Sequence, residues 1–503
     1  MIRFWNPVFG FTSFLLLDQS STPAKIAAVS EQPVYIYPYP GEYDGQFYAQ
    51  LAHHPLLNSD ELREAMDNFP YRARRILPAA LAWLLAGGNP AWIFDAYSVL
   101  NILAWFALAW ILWRLLRVRD LPTWVAWAGV LFSAGAMISV RRALTDLVAL
   151  AFIAGSMLVL RRGRNVGAAL ALGAAGLCRE TSLLAAAGFT LDPSPGAGRR
   201  RPAFAISLLV AVLPLAAWLI YVWIQAGPEV AGVHNFTWPL LGFLGKWKEA
   251  FSDSQYYSDA PMAAAAALAL VGLTVQALHL CLHRDWNDPW WRIGAAYLLM
   301  MAVLGPAVWQ GTPSAAFRIL LPMTLAFNLV ASARKAPMFW LVLGNLPVAL
   351  GVWSFRDLPP TDPLVLYAAR SLEMAGIVRQ GSGWYGQEHS ARHVWMWAPE
   401  RGRLDIEVWP RTRPHVSVRM ALMSVIPRRI KITEDGVACW NGTIGPTASP
   451  LTVVAALTNG RARLDFSTDS PPVRGTPAGD IRILSFAVYD PKIIPGPDAG
   501  TGP

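Results

Sequence analysis

The feature that most constrains this chain is the recurrence of apolar stretches long enough to cross the ~30 Å hydrocarbon core of a bilayer. They run Ala91 to Trp113, Phe204 to Ile224, Ala260 to Cys281, Ile293 to Trp309, Phe317 to Val330 and Met338 to Trp353. Shorter ones lie between them, at Thr123 to Val140, Leu144 to Leu160, Val166 to Leu177 and Ser182 to Leu191. Together they predict about 10 to 11 membrane segments. The composition agrees, with 54% hydrophobic residues, only 15% charged and 23 tryptophans, well away from soluble averages. Phe4 to Leu17 is short and carries Asn6 and Pro7. It reads as a short or half-embedded N-terminal membrane anchor, residues 1–18, because no small-residue cleavage site follows it.

The net charge of +9 does not point to nucleic acid, because the basic residues are spread through loops flanking apolar stretches and form no single soluble face. Cys178, Cys281 and Cys439 are far apart and show neither a disulfide framework nor metal-ligand spacing. The positive-inside rule assigns Arg114, Arg117, Arg119, Arg161, Arg162, Arg164, Arg199 to Arg201, Arg284, Arg292, Arg334 and Lys335 to the cytoplasmic face. Alternation then leaves a second basic set on the opposite face: Arg72, Arg74, Arg75, Arg141, Arg142, Arg179 and Arg318. Arginines at helix ends can snorkel to lipid headgroups. Arg179 in "GLCRETSLL" and Arg318 in "SAAFRILLP" instead sit inside apolar runs, where a charge costs about 2.5 to 3.5 kcal/mol. Converging guanidinium groups suit a phosphate or diphosphate, whose oxygens they bind bidentately, so the inferred ligand is an anionic lipid or a nucleotide phosphate.

On the same outer face lie three carboxylates. Asp44 stands in "GEYDGQFYAQLAHHP" between Gly45 and an aromatic flank of Tyr43, Phe47 and Tyr48. Asp-Gly is a common turn dipeptide. The flank also suits packing onto the membrane surface with water excluded, where a carboxylate pKa rises toward that of a general base. Gln46 beside it can hydrogen-bond a polyol. Asp146 in "RRALTDLVALAF" and Glu180 in "GLCRETSLL" each begin an apolar helix, as a helix cap or a self-neutralising Arg179–Glu180 pair, or as parts of the same pocket. His53 and His54 read as an interfacial helix face and not a metal site. His234 in "GVHNFTWPLLG" lies on the loop from Pro228 to Asp259 and is a candidate for the same pocket.

After Phe355 the hydropathy falls. "RDLPPTDP" opens a linker, residues 356–392, and short alternating runs such as "RLDIEVW", "HVSVRMALMSV" and "DIRILSFAVYD" follow, the pattern of an antiparallel β-sandwich. The expected organisation is therefore the anchor 1–18, an outer loop with interfacial helices 19–90, a transmembrane helix bundle 91–355, the linker 356–392, an extramembrane sandwich 393–491 and a disordered tail 492–503. The fold class is mainly α with a C-terminal antiparallel β-sandwich. Trp395, Trp397, Trp409 and Trp440 are sandwich core or a sugar-stacking platform.

"YDGQFYAQLA", "YRARRILPAALAWLLAGGNPAW", "RRALTDLVALAF", "GLCRETSLL" and "FRILLPMTLAFNL" together resemble the bacterial polytopic membrane proteins related to the GT-C glycosyltransferases. The resemblance spans roughly Gly41 to Val330. It implies an enzyme of the inner membrane, multi-pass, with its site and C-terminal domain facing the periplasm. It also implies a polyprenyl-phosphate-linked sugar donor, an envelope glycan or lipid acceptor, and transfer in cell-envelope glycan assembly. Asp44 takes the catalytic position of the family, Asp146 and Glu180 those of secondary acidic residues, and Arg179 and Arg318 face the donor phosphate. Gln46, Tyr48, Arg72, Arg75, Arg142 and His234 complete the substrate-binding candidates. Asp44 stands alone where many relatives have two adjacent acids, which argues against a metal-dependent mechanism; no cofactor is otherwise implied, and a divalent metal is the alternative for the lone acid. The rival readings are a transporter or flippase of lipid-linked saccharide, for which no repeat between the halves appears, and a non-catalytic envelope assembly protein.

Reporter fusions test the orientation. Fusions at Arg162 and Arg200 should report from the cytoplasm, and fusions at Asp44, Trp247 and beyond Leu358 from the outer face. A cytoplasmic signal from a fusion at Gly436 would overturn this arrangement.

Overall fold

The computed structural model describes residues 2–20, 23–39, 43–189, 200–227, 235–252, 260–312, 314–474 and 482–494. The chain forms two compact units, one of Met1–Phe4, Phe11–Ile26 and Tyr35–Pro359, the other of Trp5–Gly10, Ala27–Val34 and Pro360–Pro503.

The first unit is helical. Several of its helices begin where an Asn or Asp side chain caps the free N–H groups and a proline occupies the first turn. Asn89 accepts from the Ala91 N–H before Pro90–Leu116, and Asp288 from the Trp290 N–H before Pro289–Val303. Asp120 and Thr123 form a reciprocal capping box before Leu121–Leu131. Three helices among the described residues are long and apolar enough to cross a membrane: Pro90–Leu116, Phe204–Ala226 and Ala260–Leu282. The pair Leu121–Leu131 and Ala134–Arg141, bent by 42°, makes a fourth if it is one span.

Most other segments expected to span are shorter or broken. Thr145–Leu160, Asn165–Cys178 and Leu321–Ala333 have 10–17 residues. Met338–Gly344 and Pro347–Trp353 are separated at Asn345, and Ser182 to Leu191 is represented by the 3-10 helix Glu180–Gly188. Counting apolar residues overestimates span length because polar residues and prolines end the helices early. At one such break, Asn328 and Asn345 exchange amide hydrogen bonds of 3.0 and 2.7 Å. Gln276 there donates to the Gly344 carbonyl at 2.7 Å and accepts from Thr324. This buried polar seam is internally satisfied, as hydrocarbon requires.

The expected N-terminal anchor is not an α-helix. Ile2–Phe4 and Thr12–Leu15 are 3-10 turns, and Phe14, Leu15 and Leu17 are fully buried. Phe14 packs against Phe4 and Phe355, so Phe4, Phe14, Leu15 and Leu17 fill protein core, while Trp5 is exposed.

Among the described residues the second unit contains two large antiparallel sheets and a two-stranded one, Val473–Arg474 with Ile483–Leu484. One has six strands in the order Val365–Arg370, Ala375–Gln380, Arg401–Trp409, Arg461–Thr468, Arg428–Glu434 and Val437–Ile444. The other has five, Glu388–His389, Val394–Ala398, Phe486–Ile494, His415–Ser424 and Ser449–Ala456. Along Arg401–Trp409 and Arg461–Thr468 every second residue is buried, the period of a strand with one covered face. Leu404, Ile406, Ile432 and Phe466 from one sheet and Val418, Leu422, Phe486 and Val488 from the other share one core. The strands begin at Val365, inside the stretch 356–392 expected as linker, because "LVLYAAR" and "AGIVRQ" supply the edge strand and its neighbour. The last strand, Phe486–Ile494, reaches into the expected tail 492–503, whose residues 495–503 lie outside the described residues. Trp397 and Trp409 are buried, while Trp395 and Trp440 are half-buried, Trp395 stacking on Tyr489 at 5.5 Å.

Candidate functional site

Asp44 is not in a turn. It is the first residue of the helix Asp44–Leu51, whose cap, Tyr43, is extended. Gly45 is required by a close approach: a Cβ there would lie 2.2 Å from the Arg142 carbonyl oxygen. The Asp-Gly pair thus serves tight packing of a helix start and not turn geometry.

Arg72 lies on the short helix Phe69–Ala73, capped by Asn68, and Arg318 on Ala316–Ile319. Their Nη1 atoms donate to the two oxygens of Asp44 at 2.8 and 3.2 Å. The same Arg318 nitrogen reaches Asp146 Oδ2 at 3.3 Å, and Arg179 donates to Asp146 Oδ1. Arg179 is placed by the extended residue where Asn165–Cys178 ends and Glu180–Gly188 begins. Arg72 is also gripped bidentately by Asp67 at 2.9 and 2.6 Å. Arg75 donates to Glu180 Oε2 at 3.2 Å and to the hydroxyls of Tyr48 and Tyr71 at 3.0 and 3.1 Å, and Arg74 lies 3.5 Å from Glu180.

Five guanidinium groups, of Arg72, Arg74, Arg75, Arg179 and Arg318, thus face four carboxylates, of Asp44, Asp67, Asp146 and Glu180. The Asp146 side chain is 2% exposed, whereas that of Asp44 is 25% exposed. Asp146 is therefore sealed among charges, and Asp44 is open to a ligand.

Burial pushes the Asp44 carboxyl up, but the charges of Arg318 and Arg72 outweigh it and hold it well below the ordinary carboxylate range. The expectation of a raised pKa is corrected on that ground: the sequence shows the aromatic flank and not the two arginines that meet the carboxylate. The same guanidinium groups answer the metal alternative. Each Asp44 oxygen is already matched by a fixed positive charge, and a divalent cation would enter a site with more guanidinium than carboxylate groups. These residues do not fit a metal ion. Among the described residues no group of three or more His, Cys, Asp and Glu side chains could hold one.

Other candidates fall in different places. Gln46 is 2% exposed with its amide nitrogen unpaired. Tyr48 is buried and accepts from Arg75, making it a support for that arginine. His234 lies outside the described residues. Arg142 is half-buried, with its guanidinium over the Tyr43 ring at 4.0 Å. Tyr43 also lies 5.4 Å from the Arg318 guanidinium. Arg142 lines a cavity of about 540 Å³ together with Arg141, Leu16, Met262, Thr312, Leu350, Trp353, Ser354, Arg356 and Asp357. Asp67, Tyr71 and Arg356 were not anticipated. Asp67 five residues before Arg72 was a weak signal, and Arg356 was hidden in a stretch read as linker.

No family model matches the sequence, and a search of curated proteins finds no match. Among solved structures the chain is similar to ArnT from Cupriavidus metallidurans in the apo state, with TM-score 0.39 and 14% identity over 63% of this chain and 59% of that one. It is also similar to the arabinosyltransferase EmbB from Mycobacterium smegmatis, with TM-score 0.19 and 12% identity over 90% of this chain and 64% of that one. Thus the chain spans about three fifths of each. Neither score reaches 0.5, so the function has to be read from the site's own geometry.

The charge pairs have two measurable consequences. Arg179→Ala leaves Asp146 with Arg318 alone, so it should cost about 2–3 kcal/mol of stability, less than the roughly 3–5 kcal/mol of a buried charge left wholly unmatched. Thermal unfolding in detergent reads this directly; an unchanged melting temperature would show that the pair contributes nothing.

The second consequence concerns acid. Because the folded-state pKa of Asp44 is depressed, its stabilisation is fully present above the unfolded value of about 3.9 and is lost as pH falls through the folded value. The melting-temperature advantage of wild type over Asp44→Asn should be constant from pH 7 to about 5 and shrink below about 4. An advantage that grew on acidification would contradict the assigned ion pairs.

Proposed function

We propose that this chain is a membrane glycosyltransferase of the GT-C type, moving a sugar from a polyprenyl-phosphate-type lipid donor to an acceptor at the periplasmic face of a bacterial inner membrane during envelope glycan assembly. One observation carries this reading: Asp44 is an ionised, partly exposed carboxylate held between Arg72 and Arg318, and Tyr43 beside it touches an arginine that lines a cavity. In a single displacement the acceptor oxygen attacks the anomeric carbon, the bond from that carbon to the carrier phosphate breaks, and the electron pair leaves on the phosphate oxygen. The configuration inverts.

Asp44 receives the acceptor's proton. A carboxylate this far below its ordinary range is a weak base in the ground state, so it first orients and polarises the hydroxyl. Proton transfer comes late, once formation of the new C–O bond has made the hydroxyl acidic. The arginines keep the carboxylate charged and in place, a preorganised arrangement that needs no rearrangement during the reaction. Asp146 and Glu180 act here as positioning residues, through Arg179 with Arg318 and through Arg75.

The test is transfer from a panel of polyprenyl-phosphate sugars by the purified full chain in lipid vesicles. Asp44→Asn should remain folded and slow the reaction by about 10² to 10⁴, while Asp44→Glu should recover little because its carboxylate is displaced by about an ångström. An Asp44→Asn protein as active as wild type would sink this role. Movement of lipid-linked saccharide across the vesicle without sugar transfer would favour the transporter reading, which the buried Asp146, Arg179 and Arg318 also accommodate.

A further inference from the structure

The arginines that sequence reasoning assigns to phosphate already have their charge paired with carboxylates, although the buried Nε–H groups of Arg179 and Arg318 have no hydrogen-bond partner. Arg72 is shared by Asp44 and Asp67, Arg75 faces Glu180, Arg179 faces Asp146, and Arg318 faces both Asp44 and Asp146. A phosphate binding there would have to compete with carboxylates for donors that are fixed and largely desolvated, or leave those carboxylates unpaired.

Arg142 and Arg356 differ. Neither guanidinium has a carboxylate within ion-pair distance among the described residues. Each guanidinium instead lies over an aromatic ring, Arg142 over Tyr43 and Arg356 over Trp353, both at 4.0 Å to the ring centroid. Stacking of this kind fixes the plane of a guanidinium while leaving its N–H edge free. Both residues line the 540 Å³ cavity, whose wall also presents Leu16, Met262 and Leu350. Arg141 secures the same wall: it donates to the Asp357 carbonyl and to Tyr37 at 3.1 Å each, and to the Ser13 carbonyl at 3.4 Å. The Asp357 carboxylate is exposed and also belongs to the lining, so an anion must sit toward Arg142 and Arg356 and away from it.

We infer that Arg142 and Arg356 form the seat of a phosphate monoester carried on an apolar chain, with the chain lying along Leu16, Met262 and Leu350. This deepens the transferase reading and rests on it for the ligand's chemistry. It moves the phosphate from the paired arginines to the unpaired ones. Through Tyr43, which contacts both Arg142 and Arg318, the seat adjoins Asp44, as a departing phosphate and a nucleophile-binding carboxylate must.

Calorimetric titration of the purified full chain in detergent tests it, with farnesyl phosphate, farnesol and inorganic phosphate as probes. Farnesyl phosphate should bind, and farnesol should bind at least about tenfold more weakly, since it lacks the charge-assisted hydrogen bonds. Arg142→Gln and Arg356→Gln should each weaken farnesyl phosphate by about tenfold or more. Arg356→Lys should be intermediate, and the exposed control Arg164→Gln should have no effect. Melting temperatures of the variants separate lost binding from lost folding. Farnesol binding as tightly as farnesyl phosphate, or affinity unchanged in both glutamine variants, would overturn the seat. Inorganic phosphate binding as tightly as farnesyl phosphate would overturn the lipid assignment. The outcomes are separable from those of the transfer assay: binding with these dependences but no sugar transfer leaves the seat standing and removes the reaction. Transfer that persists while farnesyl phosphate ignores both arginines does the reverse.

Discussion

The arrangement of this site depends on one interaction, the Asp44 carboxylate held between the guanidinium groups of Arg72 and Arg318. The two arginines come from distant parts of the chain, and neither would be tolerated at its depth without an acid. Meeting them requires the helix Asp44–Leu51 to start against the backbone of Arg142. That in turn demands a residue without a side chain at position 45. Charge balance and close packing therefore specify the same short stretch, "YDGQ", for different reasons.

From this pair a division of labour follows among the arginines of this site. Arg72, Arg75, Arg179 and Arg318 have their charge answered within the protein, and the tyrosines 48 and 71 fill remaining donor positions of Arg75. Such groups orient and stabilise, holding Asp44 ionised and fixed. Arg142 and Arg356 lie over aromatic rings, and neither has a carboxylate within ion-pair distance among the described residues. A ligand anion gains most where the protein has left a positive charge uncompensated. The cavity beside these two is where that condition and the available space coincide.

The second unit places its apolar residues with the regularity of strands. Its core shows how little of a sandwich depends on any single tryptophan: Trp397 and Trp409 are covered, while Trp395 stacks on Tyr489 and stays half-exposed. Alternation along "RLDIEVW" and "ARLDFS" is enough to choose the buried face. Register and sheet order come from pairings such as Arg461 with Glu407, which no local pattern contains.

Much of this was legible in the sequence. Apolar length marked the helices Pro90–Leu116, Phe204–Ala226 and Ala260–Leu282, because a helix buries its own backbone bonds and needs only composition to span. Period-two alternation marked the strands. The cost of a lone charge in an apolar run singled out Arg179 and Arg318, and the aromatic flank singled out Asp44. Helix breaks, the burial of Phe4, Phe14, Leu15 and Leu17 in protein core and the first strands at Val365 and Ala375 were not legible, since they depend on what each segment packs against. The identity of each arginine's partner was equally hidden. Arg318 reaches Asp44 across 274 positions and Asp146 across 172, and Coulombic pairing depends on distance in space. The sequence by itself determined which residue types were present and that their charges had to be satisfied. Only the tertiary structure decided which guanidinium groups were spent on carboxylates and which were left for a ligand, because that choice is made by contacts between elements that no local pattern records.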